Sequence, residues 1–187
     1  MTSRPPTARL FLAAELPGEV RAELSAWARA ALAGPARTGV RILDPDTLHL
    51  TLCFLGSRPV EEIGAFGGAL DALVGEPCEV SLGAPVWLPP RRPRALAVEV
   101  VDEHDALADL QLAAATAVEA VSSWTAERRR FRAHVTVARM RAGAAEPHRG
   151  ELAATPPRRF RVERVSLYRS WLAPGGARYE TLASREL

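Results

Sequence analysis

Leu48-His49-Leu50-Thr51-Leu52-Cys53-Phe54-Leu55-Gly56 is the stretch that decides how this chain is read. It opens with strict apolar–polar alternation and closes on glycine, the pattern of a half-buried strand. Strand side chains alternate across the sheet, so His49 and Thr51 share one face while Leu50 enters a core. The same parity places Cys53 beside His49 and Thr51. The arrangement recurs in Ala133-His134-Val135-Thr136-Val137. With four histidines and ten threonines in 187 residues, composition alone yields about 0.02 such pairs. One His-x-Thr on a strand is usually structural; two with matching flanks favour function.

Other chemistries account for the pair less well. A metal site needs three or four converging ligands, and neither run offers a second His or a carboxylate on the His face. Cys53 makes a mixed site only conceivable. No nucleophile elbow marks a serine hydrolase. Free imidazole titrates near ~6.5, so one ring can be neutral while another is protonated near neutral pH. The neutral ring takes a proton from water and the charged one gives a proton to a leaving group. Threonine hydroxyls donate hydrogen bonds to phosphoryl oxygens as charge develops. Together these describe metal-free, in-line phosphodiester cleavage without a covalent intermediate.

Working outward, residues 9–14 read as a first strand. A helix follows with Val20, Leu24, Trp27, Ala28 and Ala31 on one face, stopped by Gly34-Pro35. Asp44-Pro45-Asp46 is a turn, and residues 48–55 form the second strand. Residues 60–74 suggest a weaker helix, interrupted by glycines. Residues 78–82 and 95–101 read as strands on either side of a Pro/Arg loop at 88–94. Leu107, Leu110, Ala114, Val118 and Val121 mark the clearest helix. Residues 134–138, 160–168 and 178–182 complete the strands, the last two around Pro174-Gly175-Gly176. Residues 1–6 read as a tail and 143–157 as a loop. The order is not a βαβ series and ends in strands, so the expected class is α+β with mixed or antiparallel sheet.

Bulk composition excludes other classes. Hydrophobic residues make up 48% and the net charge is only +2, which does not fit a disordered chain. The apolar runs are too short for a membrane span or a signal peptide. Two isolated cysteines, Cys53 and Cys78, fit a reducing cytoplasm rather than a disulfide framework. All 24 basic residues are arginine, and Asn is absent. A GC-rich coding bias produces that pattern, so the arginine excess is not itself a nucleic-acid signal.

The two motifs His49-Leu50-Thr51-Leu52 and His134-Val135-Thr136-Val137 resemble those of the 2H phosphoesterases. The chain is most similar to the RNA 2′,3′-cyclic phosphodiesterases, also called 2′-5′ RNA ligases. The likeness extends to Arg9-Leu10-Phe11, Phe54-Leu55-Gly56, residues 131–139, Leu167-Tyr168-Arg169-Ser170 and Gly176-Ala177-Arg178-Tyr179-Glu180. It implies one domain over residues 1–187, an α+β fold of two pseudo-symmetric lobes with outer helices around a central cleft, each lobe carrying one His-x-Thr motif. It implies a cytoplasmic monomer with no cofactor. The implied partners are RNA ends bearing a 2′,3′-cyclic phosphate, tRNA fragments among them, and no membrane. It implies hydrolysis to a 2′-phosphomonoester, with His49 the proton donor to the 3′ oxygen, His134 the base toward water, and Thr51 and Thr136 holding phosphate. Ligation is the same chemistry with an RNA 5′-hydroxyl in place of water. Two positions depart from the family: Ala133 stands where proline is common, and Ala95-Leu96-Ala97 where a bulky aromatic is frequent.

Further candidates are secondary. Arg139 matches a family arginine but lies on the opposite parity from Thr136, reaching the cleft only if the strand ends or bulges. Arg132 shares the parity of His134, which favours the cleft mouth. Arg91, Arg92 and Arg94 could grip an RNA backbone or simply be a solvated loop. Tyr168 and Phe11 could stack on a base or belong to the core. His104, among Asp102, Glu103 and Asp105, reads as solvent-facing, and His148 has no assigned role. Two competitors remain: a phosphodiesterase for small cyclic nucleotides and a non-catalytic nucleotide-binding module.

Overall fold

Alternating burial recurs along the strands. In Cys78–Leu88, Cys78, Val80 and Leu82 are buried while Glu79 and Ser81 are not, the signature of a sheet with one face on a core. The computed structural model describes residues 5–34, 39–141, 143–144, 152–173 and 176–187. The strands are β1 (Thr7–Ala14), β2 (Val40–Ile42), β3 (Leu50–Pro59), β4 (Cys78–Leu88), β5 (Ala95–Val101), β6 (His134–Met140), β7 (Arg159–Val162), β8 (Arg164–Ala173) and β9 (Gly176–Glu186). The helices are α1 (Gly18–Ala31), α2 (Ile63–Asp71) and α3 (Ala106–Val121).

All nine strands join one sheet in the order β7-β4-β5-β6-β3-β1-β8-β9, with β2 also pairing β6. Every pairing is antiparallel. The order divides into two matching halves, β6-β5-β4-β7 and β3-β1-β8-β9, with a motif strand innermost in each. The two motif strands, β3 and β6, pair at one position, Leu50 with Val135. These are the residues between His and Thr in the two motifs, and both are buried.

Each motif strand carries an extra residue at the same distance from its histidine, and β3 carries a second, Leu55, between the pairs Leu10–Gly56 and Phe11–Phe54. Against β1, Leu12 pairs Cys53 and Ala13 pairs Thr51, so Leu52 is skipped. Against β5, Leu96 pairs Ala138 and Ala97 pairs Thr136, so Val137 is skipped. A bulge of this kind reverses side-chain parity beyond it. Leu52 and Cys53 are both buried, as are Val137 and Ala138. The bulge therefore turns Cys53 into the core, correcting the simple alternation that set it beside His49, and burial pushes its thiol up to about 12. Arg139 is turned the other way, out of the core.

The helices cover the sheet. α1 packs against β2 and β6, α3 against β3, and α2 against α3, β8 and β9. The expected stripe on α3 is buried at Leu107, Leu110, Ala114 and Val118, whereas Val121 is exposed. Its start is held by the Asp102 carboxylate, which accepts from the backbone N–H of His104 and Leu107; His104 is solvent-facing, as its acidic neighbours suggested. Other boundaries shift. β3 begins at Leu50, so His49 sits just ahead of it, and β4 runs on to Leu88 past an irregularity between Leu82 and Pro85. The expected strand at 160–168 is two strands broken at Glu163. Residues 1–4, His148 and the Pro174-Gly175 turn lie outside the described residues. Among the described residues no helix is long and apolar enough to cross a membrane.

Candidate active site

The pairing of Leu50 with Val135 fixes where both motifs point. In an antiparallel ladder the residues flanking a paired position face each other across the strands, so His49 stands opposite Thr136 and Thr51 opposite His134. Leu50 and Val135 are in the core, which turns all four polar side chains to the other face. The two histidines lie on a diagonal of this quadrilateral.

Both imidazoles are held in the same way. His49 Nδ1 lies 2.8 Å from the Thr47 carbonyl and His134 Nδ1 lies 2.7 Å from the Arg132 carbonyl. A carbonyl only accepts, so each Nδ1 carries the hydrogen and each Nε2 is left to a substrate. For His49 the anchor is the Pro45–Thr47 3₁₀ turn, in which Asp44 accepts from the Asp46 N–H and its carbonyl from the Thr47 hydroxyl. For His134 the anchor segment is pinned by Arg132, whose Nε donates to Glu99 at 3.0 Å. Glu99 is the Cα partner of His134 on β5. Arg132 is thus paired with Glu99 beside the second histidine.

A cavity of about 780 Å³ opens on this face. His49, Thr51 and Arg139 line it, along with Arg9, Arg29 and Arg41. Asp44 is the one carboxylate residue in that wall among the described residues. His134 and Thr136 are not among the residues that line it; on β6 they stand four and two ladder positions from Arg139, which does. The β6 bulge is what delivers Arg139 to this side. Directly opposite it on β2 is Arg41, whose guanidinium lies against Gly176 and fills the place a Cβ there would take. Arg91, Arg92 and Arg94 are not part of this wall; they sit in the turn between β4 and β5.

Aromatic rings back the first histidine. Phe11 stacks on His49 with centroids 4.7 Å apart, and Tyr179 meets its edge at 5.2 Å. Tyr168 lies behind, stacked on Phe11 at 5.1 Å with its hydroxyl donating to Glu15 at 3.1 Å. Phe11 and Tyr179 line the cavity and Tyr168 does not. Burial, with the nearby charges of Arg139 and His134, holds the His49 imidazole down at about 4, against the opposing effect of its hydrogen bond to the Thr47 carbonyl. The His49 imidazole is therefore neutral at pH 7. Among the described residues no three His, Cys, Asp or Glu side chains converge to hold a metal.

The profile of the 2′-5′ RNA ligase superfamily matches residues 16–171, most of the chain and both motifs. The chain belongs to the 2′-5′ RNA ligase superfamily, within the 2H phosphoesterases. No curated protein sequence matches it. Among solved structures it is similar to TT0787 of Thermus thermophilus, with 29% identity, a TM-score of 0.78, and 96% of this chain and 97% of that one covered. It is similar to E. coli LigT complexed with phosphate, with 25% identity, a TM-score of 0.71, and 97% and 98% covered. LigT complexed with 3′-AMP shares the fold, at 24% identity and a TM-score of 0.80, with 97% and 99% covered. Superfamily membership makes the paired His-x-Thr face the candidate phosphoesterase centre. Sequence reasoning did not single out Arg29, Arg41 or Tyr179 as site residues, because tertiary contacts alone bring them to the cleft.

Proposed function

We propose that this protein hydrolyses 2′,3′-cyclic phosphodiester ends of RNA to 2′-phosphomonoesters without a metal ion. One observation carries the reading: two imidazoles with matching Nδ1 anchors, and two threonines, share the face formed around Leu50 and Val135. Thr51 and Thr136 hold the non-bridging oxygens from opposite sides, and Arg139 and Arg41 supply positive charge to the anion. His134 Nε2 takes a proton from water as the water oxygen bonds to phosphorus. The P–O3′ bond breaks, and His49 Nε2 delivers a proton to the departing 3′ oxygen. The product keeps its phosphate on the 2′ oxygen.

His49 must be charged to act as that donor, yet burial keeps it neutral at pH 7. A bound phosphodiester anion opposes the fields of Arg139 and His134 and favours the imidazolium, so protonation of His49 is coupled to substrate binding. When an RNA 5′-hydroxyl replaces water as the nucleophile, the same groups leave a 2′-5′ linkage. That LigT, 25% identical, is found complexed with phosphate supports a phosphate-binding role for this fold.

The test uses an RNA oligomer ending in a 2′,3′-cyclic phosphate, alongside 2′,3′-cyclic AMP, both with EDTA present. A 2′-phosphate RNA product that disappears in His49→Ala and His134→Ala is the expected result. General acid–base groups contribute about 10²–10⁴-fold each. Turnover of the mononucleotide alone would replace RNA ends with small cyclic nucleotides as substrate. Activity surviving both substitutions would remove the histidines from the chemistry.

A further inference from the structure

A glutamate stands beside each motif histidine, at corresponding places in the two halves. On β5, Ala97, Val98 and Glu99 pair Thr136, Val135 and His134. On β1, Ala13 and Ala14 pair Thr51 and Leu50, and Glu15 comes next. Each histidine Nδ1 is bonded to a backbone carbonyl, so each carboxylate serves other groups. Glu99 takes Arg132, whose carbonyl anchors His134. Glu15 serves a different set. Its Oε1 accepts from the Tyr168 hydroxyl at 3.1 Å and from the Ser166 hydroxyl, and its Oε2 lies 3.5 Å from Arg164. Ser166 is fully buried and is also bonded to Ser184 at 2.8 Å.

Tyr168 carries that anchor to the first histidine. It is the Cα partner of Phe11 on β1. The rings of Phe11, His49 and Tyr168 close a triangle, with centroids 4.7, 5.1 and 6.2 Å apart and planes within 29° of one another. Tyr179 meets all three at steep angles. Aromatic pairs at such separations attract beyond the area they bury. The bond from Nδ1 to the Thr47 carbonyl fixes one point of the imidazole and leaves its plane free to tilt about that bond. The ring cluster sets the plane, and with it the direction of Nε2. Burial, then the Glu15 carboxylate, push the Tyr168 phenol up against the opposing Ser166 and Thr181 hydroxyls, so it stays a donor. A cavity of about 40 Å³ bounded by Glu15, Tyr168, Tyr179 and His49 is the space into which an unanchored ring would turn.

We propose that Glu15 is a positioning residue for the general acid: by fixing the Tyr168 hydroxyl it holds the ring cluster that aims His49 Nε2. Its role in turnover rests on the hydrolytic reading above. Glu15 itself touches no reacting atom and transfers no proton.

The test joins kinetics on cyclic-phosphate RNA, with EDTA present, to NMR of the ligand-free protein. Glu15→Ala and the milder Tyr168→Phe should each lower kcat about 10–100-fold, the scale of a small misplacement of a reacting group. KM should stay unchanged, because the phosphate contacts are untouched. The double variant should cost no more than either single change, since both cut one link. Glu15→Gln should recover kcat, because its amide oxygen can accept from both hydroxyls as Oε1 does. Additive losses, a loss confined to KM, or Glu15→Gln as impaired as Glu15→Ala would overturn the proposal. In the NMR arm, the His49 ring protons are identified by their absence in His49→Gln. They should shift in Glu15→Ala and Tyr168→Phe while those of His104 stay in place; unmoved His49 signals also overturn it. Shifted signals in a protein that never turns over the RNA would leave the Glu15–His49 link standing and refute the hydrolysis. Equal turnover by wild type and both variants would do the reverse.

Discussion

Acidification should destabilise this protein in part through His49. Its imidazole titrates at about 4 in the folded cleft and near ~6.5 once unfolded. The sign follows from linkage: between these values the unfolded chain binds a proton that the folded chain refuses, so unfolding is favoured as pH falls. Well above ~6.5 both states are neutral and the contribution vanishes; below about 4 both are charged and the loss stops growing. The single-site linkage expression gives a loss of about 0.1 kcal/mol at pH 7.5, about 0.4 at 6.5, about 1.4 at 5.5 and about 2.6 at 4.5. These are ceilings, because His49 keeps an edge on the open cleft where solvent screens the imidazolium. The reference is His49→Gln, which does not titrate. Urea unfolding of both proteins at the four pH values gives the difference of differences, which cancels every other titrating group. The wild type should lose more than about 1.5 kcal/mol relative to the variant between pH 7.5 and 4.5. Parallel pH curves would refute the claim that the cleft holds His49 neutral.

Four other outcomes follow from the same geometry. The acid-side limb of the kcat profile should lie at higher pH than the limb of kcat/KM, because bound phosphodiester raises His49; pH–rate profiles on cyclic-phosphate RNA read both, and coincident limbs would count against coupling of protonation to binding. Thr51→Val and Thr136→Val should each lower kcat about 100-fold or more if each hydroxyl meets charge developing in the transition state, with thermal melts confirming folding. Leu50→Ala removes a buried side chain at the joint and should cost about 2–5 kcal/mol in urea unfolding. Gly176→Ala puts a Cβ where the Arg41 guanidinium lies, at a backbone φ of +139°; calorimetric titration should show weaker binding of inorganic phosphate.

The motifs were legible because strand alternation is a short-range property, and Leu48 to Leu52 displays it without ambiguity. What followed each motif was not legible by parity alone. Simple alternation puts Cys53 on the His49 face and Arg139 opposite Thr136; the bulge that the Arg139 reading required is present and brings Arg139 to the cleft, and its counterpart on β3 buries Cys53. A trace of the truth is in the sequence: Leu52-Cys53 and Val137-Ala138 are adjacent small or apolar pairs at the same offset from each histidine, as two successive buried residues require. The cleft arginines had no such trace. Nothing local separates Arg9, Arg29 and Arg41 from the rest of an all-arginine complement, since helix α1 and strands β1 and β2 bring them together only in the folded sheet. Tyr168 and Tyr179 show the same limit: the β8–β9 register, irregular at Leu167 and Tyr168, decides which of them meets the cleft.

The single pairing between the motif strands has a mechanical consequence. With one paired position between β3 and β6, four reactive side chains ride within one residue of a common pivot. One core runs beneath both halves and fixes that pivot, so the spacing of the four groups is set by how Leu50 and Val135 pack together.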